Sequence, residues 1–185
     1  MRVISTPLDG VVLVEPDVFG DARGFFMESY HAEKFAAAGI HMNFVQDNHS
    51  LSEQAGTLRG LHYQLAPKAQ TKLVRVLVGA IYDVAVDIRP ESSTFGQWYG
   101  VILSAENKRQ LLVPQGFAHG FCTIVPNTEV SYKVDQFYAS AHDRGILWND
   151  PALSIPWPTE HPHLSDKDQK HPVLAKAQLS LDAEG

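Results

Sequence analysis

Short runs of alternating, β-branched residues, broken at regular intervals by turn residues, constrain this chain more than any other feature. Leu73–Val78, Ile81–Ile88 and Trp98–Leu103 each have the length and composition of one strand. Gly79-Ala80, Arg89–Ser93 and Ser104–Asn107 separate them, a rhythm that predicts a sandwich or barrel of antiparallel strands. The one convincing helical stretch, His31–Ala38, is rich in good helix formers and is stopped by Gly39, so about two turns are expected. With 185 residues the chain can bury a sizeable core as one domain, residues 1–185. From about residue 149 onward the prolines of Asn149-Asp150-Pro151, Pro156-Trp157-Pro158 and His161-Pro162-His163 deny a sheet its backbone donors. That tail, 149–185, is expected to be irregular and to pack over the barrel through Leu153, Ile155, Trp157 and Leu164, bringing Ser165–Asp168 to the site from outside.

Several function classes are excluded early. A net charge of -6 without a lysine or arginine run argues against nucleic acid as a partner and for a small-molecule ligand. Arg23, Arg59 and Lys72 remain available to hold a phosphate within an acidic protein. The single cysteine, Cys122, lies in an apolar run and is expected to be a buried small side chain. The N-terminus lacks a long apolar region and no stretch approaches the ~20 apolar residues of a membrane span, so no membrane association and a cytoplasmic location are expected.

Candidate chemistry begins with Arg59-Gly60-Leu61-His62-Tyr63-Gln64, read with Lys72 and Tyr132. A histidine can remove a proton, a lysine can hold a developing oxyanion and a tyrosine can return the proton, a set suited to chemistry beside a carbonyl. Each also has a structural alternative, since polar side chains in β-rich chains are commonly packed and hydrogen-bonded. Period two puts Val130, Tyr132 and Val134 on one face of their strand, where the phenol either finds a partner or meets a substrate. Lys72 shares a side with Val74, Val76 and Val78, so its stem can lie on the core face with its ammonium at the rim. Asp83 alternates with Ile81 and Ala85, giving an inward carboxylate that could orient Lys72.

Pro114–Phe121 has the P-x-G-x-x-H spacing of the second cupin motif, with His119 delivered into a small barrel. The place of the first motif's H-x-H is taken by His62-Tyr63-Gln64, one ligand short of a three-ligand catalytic site, so a metal-free cupin is expected. In Phe19–Glu28 an arginine sits among aromatics on a flexible turn with a carboxylate at its end, a set able to grip a diphosphate and a base; clustered Phe is more often part of a core. Gln46-Asp47-Asn48 carries the same ambiguity.

Eight strings in order from Val18 to Asp168 then resemble the dTDP-4-dehydrorhamnose 3,5-epimerase family. They are V-F-G-D-A-R-G-F-F-M-E-S, F-V-Q-D-N-H-S, L-R-G-L-H-Y-Q, K-L-V-R-V, L-S-A-E-N-K-R-Q, P-Q-G-F-A-H-G-F, D-R-G-I-L-W-N-D and L-S-D-K-D. The resemblance implies a cupin-type antiparallel β-barrel, a jelly roll, with few short helices, a homodimer, and neither metal nor organic cofactor. It implies inversion of C3 and C5 of dTDP-4-dehydro-6-deoxy-D-glucose, giving dTDP-4-dehydro-L-rhamnose on the route to L-rhamnose in bacterial surface polysaccharides. By the same resemblance His62 is the base, Asp168 orients it, Tyr132 is the acid, and Lys72 steadies the enolate. Arg23 and Arg59 hold the diphosphate, Glu28 and Gln46-Asp47-Asn48 contact the thymidine, His119 is a ligand of the sugar or phosphate, and Asp143 lies near the sugar. The Phe19–Glu28 segment is implied to cross the dimer interface. A C3-only epimerase or a 3,4-ketoisomerase on the same nucleotide sugar would share barrel and base; Tyr132 favours the double epimerase, because C5 needs an acid on the opposite face.

Overall fold

The computed structural model describes residues 1–180, so the last five residues of the expected C-terminal segment lie outside the described residues. Its strands are β1 (Arg2–Ser5), β2 (Val12–Glu15), β3 (Val18–Asp21), β4 (Gly24–Met27), β5 (Gln46–Ser52), β6 (Leu58–Gln64), β7 (Lys72–Val78), β8 (Ala80–Asp87), β9 (Trp98–Ser104), β10 (Gln110–Val113), β11 (Phe117–Thr123), β12 (Thr128–Val134) and β13 (Asp143–Gly145). Helix α1 covers Ala32–Ala37 and ends at Gly39, whose φ of 83° suits glycine.

Two antiparallel sheets face each other in a cupin-type jelly roll. One has six strands in the order β1-β2-β10-β7-β12-β5 and the other five in the order β13-β6-β11-β8-β9; β3 and β4 form a separate hairpin. Between the sheets, Leu13, Val74, Val76, Leu111 and Val130 meet Ile81, Ala85, Leu103, Phe117 and Phe121. Apart from Ala85, each such side chain contributes about 1.5–3 kcal/mol by leaving water, so this layer dominates the fold.

Outer layers explain why several strands read as continuous apolar runs rather than alternating ones. Behind the five-stranded sheet, Leu61, Tyr63, Val84, Val86 and Ala118 are covered by Ile146, Leu153, Ile155 and Leu174. Leu153, Ile155, Trp157 and Leu174 thus lie against this sheet. Behind the other sheet, Val14, Leu73 and Leu112 are covered by Phe35 of α1 and by Ile40. Cys122 is buried, as expected. Val78 departs from the expected pattern and is 47% exposed. The β7–β12 register slips there, with Val130 opposite Val76 but Glu129 opposite Val78, and the bulge turns Val78 away from the core face.

Glycine decides the spacing beside the cavity. A Cβ on Gly60 would lie 2.5 Å from the Cα of Gly120, so β6 and β11 approach closely only because both residues are glycine. The same pairing sets His62 directly opposite His119. Among the described residues no helix is long and apolar enough to cross a membrane.

Candidate active site

A cavity of about 460 Å³ opens at the barrel mouth, lined among others by Arg59, His62, Lys72, Tyr132, Lys167 and Asp168. Strand β6 supplies Arg59 and His62, the first residue of β7 supplies Lys72, β12 supplies Tyr132, and a 3₁₀ turn at Asp168–Lys170 supplies the carboxylate. Four segments of chain thus converge on one space.

His62 Nε2 lies 2.6 Å from Asp168 Oδ1. An ionised carboxylate can only accept, so Nε2 carries the proton and donates, which leaves the ring lone pair on Nδ1. Burial lowers the His62 pKa below its ordinary 6.5, against the opposing pull of Asp168, so the ring is a neutral base near pH 7. Burial alone would raise the Asp168 pKa, but the neighbouring His171 and His62 imidazoles outweigh it and hold the carboxyl well below the usual range. Only 5% of its side chain is exposed, so its charge acts on the imidazole with little screening.

Lys72 donates from Nζ to the His62 carbonyl at 3.4 Å, a long contact that leaves donors free for a substrate oxygen. Burial brings its pKa down to about 8, with Asp143 and Asp83 pulling the other way. Tyr132 packs against the central core with its pKa raised by burial, so the phenol keeps its proton and can give it up to a carbanion.

Around this centre, Asp143 accepts from Tyr138 Oη at 3.0 Å and is paired with Lys167. Gln46 and Asn48 line the adjoining part of the cavity with Tyr138, Asp143 and Lys167. Arg59 is held by Ser52 Oγ at 3.3 Å and the Leu51 carbonyl at 3.2 Å, presenting its guanidinium at the mouth. His119 Nε2 is bound to Asp83 Oδ1 at 2.7 Å in the interior, so Asp83 serves His119 rather than orienting Lys72 by a direct contact. Gln64 occupies the third position of the cupin ligand motif; its amide donates to the Lys68 carbonyl at 2.6 Å and accepts from the Ala139 amide at 2.8 Å. Both ends are committed to backbone, which agrees with its poor fit as a metal ligand.

Within one chain three expected residues stay away from the cavity. Asp47 points to the opposite face of β5 from Gln46 and Asn48, and accepts from Lys133 Nζ at 2.9 Å. Arg23 and Glu28 belong to the β3–β4 hairpin and its exit, where Arg23 pairs with Asp21 at 2.5 Å and Glu28 with Lys34. Sequence reasoning passed over Tyr138 and His171. The closeness of Tyr138 to the D-R-G-I string was an available signal, as was the i, i+3 spacing of His171 from Asp168 on a turn.

A jelly roll whose mouth gathers a neutral imidazole, a buried lysine and a protonated phenol is equipped for proton transfer beside a carbonyl, and fold and cavity together define a cupin-type isomerase. The family model described as dTDP-4-dehydrorhamnose 3,5-epimerase matches residues 5–176. A dTDP-4-dehydrorhamnose 3,5-epimerase of Shigella flexneri is 58% identical over 169 residues, 91% of this chain and 93% of its own. The crystal structure of the Bacillus anthracis enzyme of that name, with TDP and PPi bound, superposes with a TM-score of 0.92 at 59% identity, covering 93% of this chain and 98% of its own. A dTDP-6-deoxy-D-glucose-3,5-epimerase from Legionella pneumophila, in complex with dTDP-4-keto-L-rhamnose, superposes at 0.91 with 48% identity over 95% of this chain and 93% of its own. The chain belongs to the dTDP-4-dehydrorhamnose 3,5-epimerase family.

Proposed function

We propose that this chain inverts C3 and C5 of dTDP-4-dehydro-6-deoxy-D-glucose, giving dTDP-4-dehydro-L-rhamnose. Both carbons flank the C4 ketone, so the same carbonyl acidifies both C–H bonds. His62 takes each proton on Nδ1 while Asp168 steadies the imidazolium that forms, the role a carboxylate has behind any catalytic histidine. The electron pair moves onto the C4 oxygen, which Lys72 holds as an enolate. Tyr132 returns a proton from the opposite face, and exchange with solvent resets tyrosinate and imidazolium for the second carbon. The observation that carries the reading is the His62–Asp168 pair at 2.6 Å in one cavity with Lys72 and Tyr132.

Arg59 holds the diphosphate at the mouth, with His119 and Asp143 on the sugar side. Arg23 and Glu28 serve the nucleotide together with Gln46 and Asn48, the hairpin residues reaching the cavity of a partner copy, while Asp47 braces Lys133 on the far face of β5. The hairpin exposes Phe19, Phe25 and Phe26 at 65%, 57% and 68%, an apolar surface that a homodimer would cover. The chain works as one domain, without metal or organic cofactor, in the cytoplasm.

Hydride reduction of the equilibrated product followed by sugar analysis tests the stereochemistry. L-rhamnose with its C4 epimer is expected; only D-series 6-deoxyhexoses epimeric at C3 would replace this reading with a C3-only epimerase.

A further inference from the structure

One side chain behind the catalytic histidine plays no part in the proton transfers. His171 lies three residues beyond Asp168, with its side chain 9% exposed and its Nε2 3.4 Å from Asp168 Oδ1. That contact is poorly directed, and Nε2 is a buried nitrogen without a hydrogen-bond partner. Nε2 therefore faces the carboxylate without a well-formed hydrogen bond, which leaves it able to take another partner there. The ring is also specifically accommodated. A Cβ on Gly145 would fall 2.3 Å from His171 Nε2, and Gly145 is the residue paired with His62 across β6 and β13. Glycine at 145 therefore admits the imidazole to the back of the base, where the two rings meet edge to face with centroids 5.6 Å apart.

His62, Asp168 and His171 each offer one ligand atom, and the three atoms lie within 4.8 Å of one another. Two imidazoles and one carboxylate form a donor set that suits zinc, with a fourth position left for water. Bonds of about 2.0–2.2 Å from each ligand require only that His62 and Asp168 open from hydrogen-bond distance and that the two rings close up.

We propose that His62, Asp168 and His171 form a zinc-binding site whose occupation switches off the base. The inference rests on His62 being that base. A neutral imidazole has one ring proton. With zinc on Nε2 the proton must sit on Nδ1, the atom whose lone pair attacks the sugar. His171 binds through its Nε2 lone pair with its own proton on Nδ1, and Asp168 is already ionised, so neither imidazole loses a proton overall. The metal lies behind the ring, between it and the carboxylate, and leaves the sugar's space open. Inhibition is thus expected in kcat with KM unchanged. Magnesium, a hard cation that prefers an all-oxygen octahedron, finds one carboxylate and is not held. Arg59, Lys72 and Lys167, the cations lining the same cavity, oppose the metal's charge and keep binding reversible.

The test uses untagged full-length protein stripped with EDTA and titrated with zinc chloride by calorimetry, with cobalt(II) as a visible-band reporter. His171→Phe keeps a ring in the Gly145 niche and removes both nitrogens; His171→Gln is a second variant should the first unfold. Wild type is expected to take one zinc per chain and lose kcat at constant KM, with recovery on EDTA and no response to magnesium. In the variants binding should weaken by roughly 100-fold, since even removing a group behind a ligand costs about 10–100-fold. The cobalt band should vanish with it. Equal binding by wild type and both variants, or inhibition that raises KM and spares kcat, would overturn the proposal. Zinc bound through His171 with full turnover would instead retain the site and refute His62 as the base, so the two readings fail separately.

Discussion

Replacing Lys72 with methionine should make the protein more stable and nearly inactive, and the size of the gain can be worked out. The fold lowers the Lys72 pKa from its ordinary 10.5 to about 8, chiefly by burial. At about 1.36 kcal/mol per pH unit, holding the charged form in place costs roughly 3 kcal/mol at pH 7. Losing the long donation to the His62 carbonyl takes back about 1 kcal/mol, which leaves a gain of about 2 kcal/mol for Lys72→Met. The pH dependence is distinctive. Because the folded-state pKa lies below the unfolded one, the unfolded chain binds more protons between about 8 and 10.5, and wild-type stability rises with pH across that window. The advantage of the variant is therefore full below pH 8 and gone by about 10.5. Urea unfolding of both proteins at pH 7 and pH 10.5, with turnover measured alongside, is the assay. Turnover should fall about 100-fold or more with the loss of the enolate's cation. A variant no more stable than wild type at pH 7, or one with the same advantage at both pH values, would refute the reasoning.

Two further outcomes follow from the same centre. Turnover should be bell-shaped in pH: it falls on the acid side as His62 takes a proton at a pKa below 6.5, and on the alkaline side above about 8 as Lys72 loses its charge. A pH–rate profile flat from pH 5 to pH 9 would contradict both assignments. Asp168→Asn should leave substrate binding intact while lowering kcat by roughly 10³–10⁴-fold, because an amide can no longer hold the imidazole in the tautomer that exposes Nδ1. Initial rates that change in KM rather than kcat would assign Asp168 to binding instead.

Period two was enough to find the strands around Val74, Val84 and Tyr132, and the inward turn of Tyr132 and Asp83 followed from the same alternation. The layered plan was not readable from it. Leu73 and Val74 are both buried because different elements cover the two faces, and nothing local to β7 states what those elements are. Asp47 shows the cost of reading a polar run as a unit. Once Gln46–Ser52 is known to be a strand, alternation sends Asp47 to the far face, where Lys133 meets it. The bulge that exposes Val78 depends on the pairing partner, which a single strand's sequence does not specify. The His62–Asp168 contact spans 106 residues and was reachable only through the family resemblance. His171 escaped notice because its significance rests on a missing side chain at Gly145, a fact visible only when the two segments are side by side.

Proton exchange followed in D2O tests the central claim most directly. Incubating dTDP-4-dehydro-6-deoxyglucose with the protein and following deuterium at each sugar carbon by NMR should show label at both C3 and C5, abolished in His62→Ala. In Tyr132→Phe, label at C5 should be lost before label at C3. Label at neither carbon, or label undiminished in His62→Ala, would contradict an enolate mechanism driven by this histidine.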